Sequence, residues 1–97
     1  MIEVRQTDEF SDWLHSLKDI QAKARIVSRV RRFSLGNLGD VKPVGQGVSE
    51  ARLDYGPGYR LYFVQRGAVV ILLLCGGTKK GQQADIEKAK ALAEVYE

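Results

Sequence analysis

Arg52, Arg60 and Tyr62 bracket the run DYGPGY, and Lys79-Lys80 follows a Gly76-Gly77-Thr78 step further along the chain. A guanidinium stays charged and matches two oxygens of a phosphate at once, while a lysine brings a compact, movable positive charge. On a rigid support, such side chains suit the binding of an anion and the stabilisation of charge that builds up on it. Tyr55, Tyr59 and Tyr62 add rings that can stack and hydroxyls that can donate a proton. A purely structural use competes with this one: a cross-strand ion pair of Arg60 with Asp54, with Arg52 left in solvent.

The elements that must position these residues follow from periodicity. From Val48 the period is two, with Ser49, Ala51 and Leu53 on one face and Glu50, Arg52 and Asp54 on the other. Beyond the turn, Tyr59, Leu61 and Phe63 alternate with Arg60, Tyr62 and Val64. This is a hairpin with both arginines and Tyr62 on one face, and Tyr59 on the core face. With Gly56-Pro57-Gly58 as the loop, Asp54 faces Arg60, Arg52 faces Tyr62 and Leu53 faces Leu61. A shift by two sets Arg52 against Arg60, like charges in opposition, and an odd shift buries the arginine face. The first register is therefore the expected one.

Around the hairpin, Met1 to Arg5 reads as a short edge strand. Thr7 or Asp8 caps a helix whose Phe10, Trp13, Leu14 and Leu17 form an apolar stripe, with His15 off it. A second helix, from about Asp19 to Leu35, buries Ala22, Ile26, Val30 and Phe33 with Val27 beside them, and Gly36-Asn37 ends it. On its flank Arg25, Arg29 and Arg32 share the helical spacing and form a cationic stripe. LGDVKPVGQG reads as a loop. After an Arg66-Gly67 turn, AVVILLLC lacks alternation and should be a strand covered on both faces. GGTKKGQ reads as a flexible basic loop, and a last helix from about Gln82 to Tyr96 buries Ile86, Ala89, Ala93 and Tyr96. The order β-α-α-β-β-β-α describes one α+β domain over residues 1–97, a small, mainly antiparallel sheet packed against helices.

Composition sets the outer bounds. Ninety-seven residues, 44% of them hydrophobic, can close one core. The single cysteine, Cys75, rules out an intrachain disulfide, and one cysteine with one histidine makes no ordinary zinc or iron site. No cofactor or metal is expected. MIEVRQTDEF lacks the pattern of a signal peptide and the run Ala68–Cys75 is too short to span a bilayer, so a cytoplasmic protein is expected. Net charge is +3, unevenly spread: residues 1–17 carry −3 and residues 18–32 carry +5. The basic block suits an acidic partner, nucleic acid or protein.

The runs GNLGDVKPVGQGVSEARLDYGPGYRLYF and LLLCGGTKKGQQADIEKAK resemble the RelE/ParE superfamily of bacterial toxins, in its HigB-like branch of addiction-module killer proteins. The specific parts are Arg52 to Tyr62 and the pattern Gly76-Gly77…Lys79…Gln82…Asp85-Ile86. Thr78 stands where an aspartate is more usual, and Lys80-Gly81 where small hydroxyl residues are.

The resemblance implies a RelE-like fold and the toxin of a type II toxin–antitoxin module. Such a toxin is a metal-independent endoribonuclease, an mRNA interferase that inhibits translation, often on the ribosome. Its cognate antitoxin is commonly a helix-turn-helix protein, through which alone the pair reaches operator DNA. Two alternatives share the fold: a ParE-like inhibitor of DNA gyrase, and an inactive relative acting only in operon repression. For the ribonuclease, Arg52, Arg60, Tyr62 and Lys79 are the expected catalytic residues, and Lys80, Arg25, Arg29 and Arg32 the expected RNA contacts. Cleavage needs a base for the 2′-OH, charge stabilisation at the phosphorane and an acid for the 5′ oxygen. With a single histidine, the arginines are the natural choice for the middle task.

Overall fold

A computed structural model describes residues 1–96; Glu97, at the end of the expected domain, lies outside the described residues. Strand β1 (Glu3–Gln6) leads into α1 (Asp8–Ser16) and α2 (Ile20–Ser34). Four strands follow, β2 (Val41–Gly45), β3 (Val48–Leu53), β4 (Tyr59–Arg66) and β5 (Val70–Thr78). A 3-10 turn (Lys79–Gly81) then feeds α3 (Gln82–Val95). The sheet runs β1-β5-β4-β3-β2, antiparallel throughout except for the parallel pair β1 and β5. The α+β architecture expected from the sequence is the one observed.

One strand exceeds the expectation. Val41–Gly45, within the stretch read as a loop, pairs antiparallel with β3. Its Pro43 and Gly45 mask strand character in the sequence, and both are tolerated because β2 is the sheet edge, where a missing donor costs no ladder bond.

Local signals explain the helices. The Thr7 hydroxyl accepts from the Phe10 N–H at 3.0 Å and donates to the Leu74 carbonyl at 2.6 Å, so one buried side chain caps α1 and fastens it to β5. Asp19 caps α2 through the N–H groups of Gln21 and Ala22. At the other end Gly36, with φ of 86°, lets the Gly36 and Asn37 N–H groups return to Phe33 and Arg32.

The sheet separates two apolar layers. On one side α1 and α2 bring Phe10, Ala22, Ile26 and Phe33 onto Ala51, Leu61, Phe63 and Leu73. On the other, α3 lays Ala89 over Val48, Tyr62, Val64 and Leu74. Strand β5 is thus covered on both faces, as its unbroken apolar run required. The β4–β5 register shifts between Tyr62 and Phe63, and the bulge sends both Leu74 and Cys75 into the α3 layer. Two expected core positions are exposed, Val27 at 47%, just off the arc α2 presents to the sheet, and Tyr96 at 37%, at the C-cap of α3; Val30, Ile86 and Ala93 are half-buried.

Candidate anion site beneath the hairpin

The hairpin register differs from the expected one. Arg52 pairs with Arg60, Leu53 with Tyr59 and Glu50 with Tyr62. The arrangement set aside for its like charges is the real one, because Glu50 lies beside the two arginines. Its carboxylate is fully buried; Oε1 accepts from Arg52 Nε at 3.0 Å and lies 3.9 Å from Arg60 Nε. One negative charge placed against both cations offsets their repulsion and leaves the cluster with a net positive charge. The Arg60–Asp54 ion pair that competed as an explanation does not form; the charged partner of Arg60 is Glu50.

The other oxygen of Glu50 accepts from Tyr62 Oη at 3.1 Å and from Gln82 Nε2 at 2.7 Å. Burial pushes this carboxyl upward, but the bonds from Arg52, Gln82 and Tyr62 outweigh it and hold the group below the ordinary glutamate range. Tyr62 shares the arginine face as expected, yet it is fully buried. Burial first, then the charge of Glu50, raises its phenol well above the ordinary value. The phenol keeps its proton and points it at Glu50 in a hydrogen bond, so a role as an exposed acid does not match its placement.

Above this network lies a cleft of about 410 Å³ lined by Arg52, Arg60, Lys79, the Gly56-Pro57-Gly58 turn and the rim carboxylates Asp40 and Asp54. Arg60 forms its floor at 8% exposure and donates one terminal N–H to the Tyr59 carbonyl at 3.1 Å. Its Nε is buried with no hydrogen-bond partner among the described residues. Buried polar groups are nearly always paired, and this one faces the Glu50 carboxylate at 3.9 Å; what Arg60 can offer an anion in the cleft is the part of its guanidinium that stays exposed there.

Lys79 reaches the same cleft by a different route. GGTKKGQ is not a flexible loop: Gly76 to Thr78 extend β5, and Lys79–Gly81 form the 3-10 turn. The Lys79 N–H donates to the Gly58 carbonyl at 2.8 Å, tying this turn to the hairpin tip. A Cβ at Gly58 would crowd Lys79 Cβ at 3.3 Å, and φ there is 78°, so glycine is required. Gly76 and Gly77 serve packing. A Cβ on the first would run into the Trp13 ring and on the second into the Asp85 carboxylate. Lys80 is exposed on the turn beside the cleft and outside its lining.

The α2 arginines separate into three environments. Arg29, expected on an exposed stripe, is 6% exposed and donates to the carbonyls of Leu38, Arg52 and Asp40 at 2.8–2.9 Å. It locks the chain entering β2 and the end of β3 to α2, so its donors serve the fold rather than an exposed stripe. Arg25 lies over the Tyr55 ring, 4.4 Å from its centroid, and Tyr55 stacks on Tyr59. Arg32 is exposed. Arg25 and Arg32, together with the buried Arg29, line a groove of about 490 Å³ next to the cleft, which shares Leu53 and Asp54 with it.

Cys75 is a buried thiol, as expected, and burial pushes its pKa up to about 12. Among the described residues, no cluster of three His, Cys, Asp or Glu side chains is placed to hold a metal ion, and no helix is long and apolar enough to cross a membrane. The sequence reading missed Glu50 and Gln82. A signal for Glu50 was present, since alternation put a carboxylate, poorly suited to mid-strand positions, on the same face as Arg52 and Tyr62.

No established family profile matches the chain. An uncharacterized protein of Haemophilus influenzae is 45% identical over 93 residues, covering 96% of this chain and 94% of the relative. At that identity over essentially the full length of both, the chain belongs to the same protein family as this uncharacterized Haemophilus influenzae protein.

Proposed function

We propose that the protein is the toxin of a type II toxin–antitoxin module, acting as a metal-independent endoribonuclease on mRNA, on the ribosome or free of it. One observation carries this reading: the buried Arg60 guanidinium, with an unused N–H, at the floor of a cleft that Arg52 and Lys79 also line. A guanidinium fixed in this way meets the phosphorane oxygens without reorganising as their charge develops. Lys79, beside Arg60 at the hairpin tip, supplies a movable charge or proton at a departing oxygen. Arg25 and Arg32 extend the track for the adjoining backbone, and Lys80 stands at its margin. The α+β fold and the resemblance of the hairpin and the Gly76–Ile86 segment to RelE/ParE toxins support the same reading.

The partner is a cognate antitoxin, a helix-turn-helix protein that also carries the pair to operator DNA. The outer side of α2 suits it, for Ile20 at 80% and Val27 at 47% exposure share a shallow groove with Lys23 and Arg31. An acidic, apolar segment complements such a surface. The working compartment is the cytoplasm, where mRNA is translated.

Induced expression with mapping of mRNA 5′ ends, beside a gyrase supercoiling assay, tests the proposal. New 5′ ends in translated messages with supercoiling intact are expected. Growth arrest with blocked supercoiling and no new ends makes the protein a ParE-like inhibitor, and neither effect leaves only a repressor role.

A further inference from the structure

Cross-strand neighbours on one face of a sheet stand close enough for their side chains to touch, so Arg52 and Arg60 ought to splay apart. Glu50 decides how. It sits two residues before Arg52 on the same face of β3 and draws the Arg52 guanidinium back along its own strand through the 3.0 Å bond to Oε1. Space over Arg60 is left open. Both carboxylate oxygens are already engaged, by Arg52 on one side and by Tyr62 and Gln82 on the other. At 3.9 Å Arg60 feels the charge of Glu50 but is too far away to donate a hydrogen bond to it. That separation keeps Arg60 charged and buried while its Nε proton stays unclaimed.

We infer that Glu50 is a positioning residue: tethered by Tyr62 and Gln82, it holds Arg52 aside and stops short of Arg60, leaving the Arg60 guanidinium uncommitted for a phosphate group in the cleft. The carboxylate touches no substrate and acts through the two arginines. The tethers come from β4 and from the first turn of α3, so three elements fix where one carboxylate stands. The inference rests on the anion-binding reading of the cleft and adds the device that creates its open donor.

A purely electrostatic role and a positioning role predict opposite signs. Replacing Glu50 by glutamine removes a negative charge from beneath the cleft, and by charge alone phosphate binding should tighten. If Glu50 positions, binding at Arg60 weakens despite the added positive charge, because a neutral amide no longer holds Arg52 aside. The probe is inorganic phosphate, titrated into protein carrying ¹⁵N-labelled arginine, with each Nε–Hε signal followed by NMR. The signals are assigned by single Arg→Lys substitutions.

In the wild type, phosphate is expected to shift the Arg60 signal further than that of exposed Arg66. In Glu50→Gln, with the fold checked by amide spectra, the apparent phosphate affinity at Arg60 is expected to fall at least tenfold. Tyr62→Phe supplies a second reading should Glu50→Gln fail to fold. With one tether gone, the carboxylate turns toward Arg60, whose Nε–Hε signal takes a hydrogen-bonded shift before any phosphate is added. Unchanged or tighter phosphate binding in folded Glu50→Gln, or an unmoved Arg60 signal in Tyr62→Phe, overturns the inference. So does a wild-type Arg60 signal that phosphate leaves in place. Phosphate binding controlled by Glu50 without mRNA cleavage would keep the inference and remove the ribonuclease.

Discussion

Arg29 and Arg60 are both buried, and they use their protons in opposite ways. Arg29 gives its N–H groups to three backbone carbonyls, an arrangement that is complete within the protein. Arg60 gives one to the carbonyl of Tyr59, lies beside a carboxylate already occupied, and keeps Nε free. Burial alone therefore does not distinguish a structural arginine from a working one; what counts is whether its donors are already satisfied. The contrast also reverses the sequence-based picture, in which Arg29 belonged to an exposed recognition stripe and Arg60 to an exposed strand face.

The strongest way to break the contrast is to remove what keeps Arg60 compensated. Glu50→Ala leaves Arg60 buried without its counter-charge and Tyr62 without an acceptor. It should cost roughly 3–5 kcal/mol in denaturant unfolding, as loss of one partner of a buried pair does. The same group predicts an acid limb. The folded pKa of Glu50 is lowered, so its stabilisation is fully present above the unfolded value, about 4.3, and is lost as pH falls through the lower folded value. Unfolding free energy measured below about pH 4 should fall more steeply in the wild type than in Glu50→Gln.

Arg60→Lys is next. It keeps the charge and loses the planar fork. The mRNA cleavage rate should fall about a hundredfold, on the order of 3 kcal/mol of transition-state stabilisation, with the melting temperature nearly kept. A lowered melting temperature with an unaltered rate per folded molecule would place Arg60 in the same class as Arg29. For Arg29→Ala the expectation is reversed. Three carbonyls lose a charged donor, stability should drop by about 2–3 kcal/mol in thermal or denaturant melts, and the rate per folded molecule should hold. The smallest effect belongs to Arg25→Ala combined with Arg32→Ala. Stability should move by less than about 0.5 kcal/mol, while RNA binding loses part of its salt dependence.

The sequence carried the fold well and the site unevenly. The cap at Thr7, the separate apolar stripes through Phe10 and through Phe33, and the unbroken run of β5 are local signals, and each led to the right element. The hairpin arginines were placed on the correct face because parity survives a shift of two. Register itself was misread because the deciding group, Glu50, acts across strands and was not weighed with the pair. Arg29 was misread for a related reason. A helical repeat shows which residues share a side, but only the neighbouring β2 and β3 backbone reveals that this side is occupied. Strand β2 was hidden by Pro43 and Gly45, whose cost vanishes at a sheet edge.

The parallel pairing of β1 with β5 bears on how the chain comes into being. Thr7 closes on the Leu74 carbonyl across 67 residues, and Glu3 to Gln6 align with Val70 to Leu73. During synthesis the first strand therefore has no partner until most of the chain has left the ribosomal exit tunnel. The last pieces of the cleft, Lys79 on the turn and Gln82 behind Glu50, emerge later still. Folding of this kind is dominated by distant contacts and nucleates late. The nascent polypeptide consequently has no assembled cleft until β5, the turn after it and the start of α3 have all been made and can reach the hairpin.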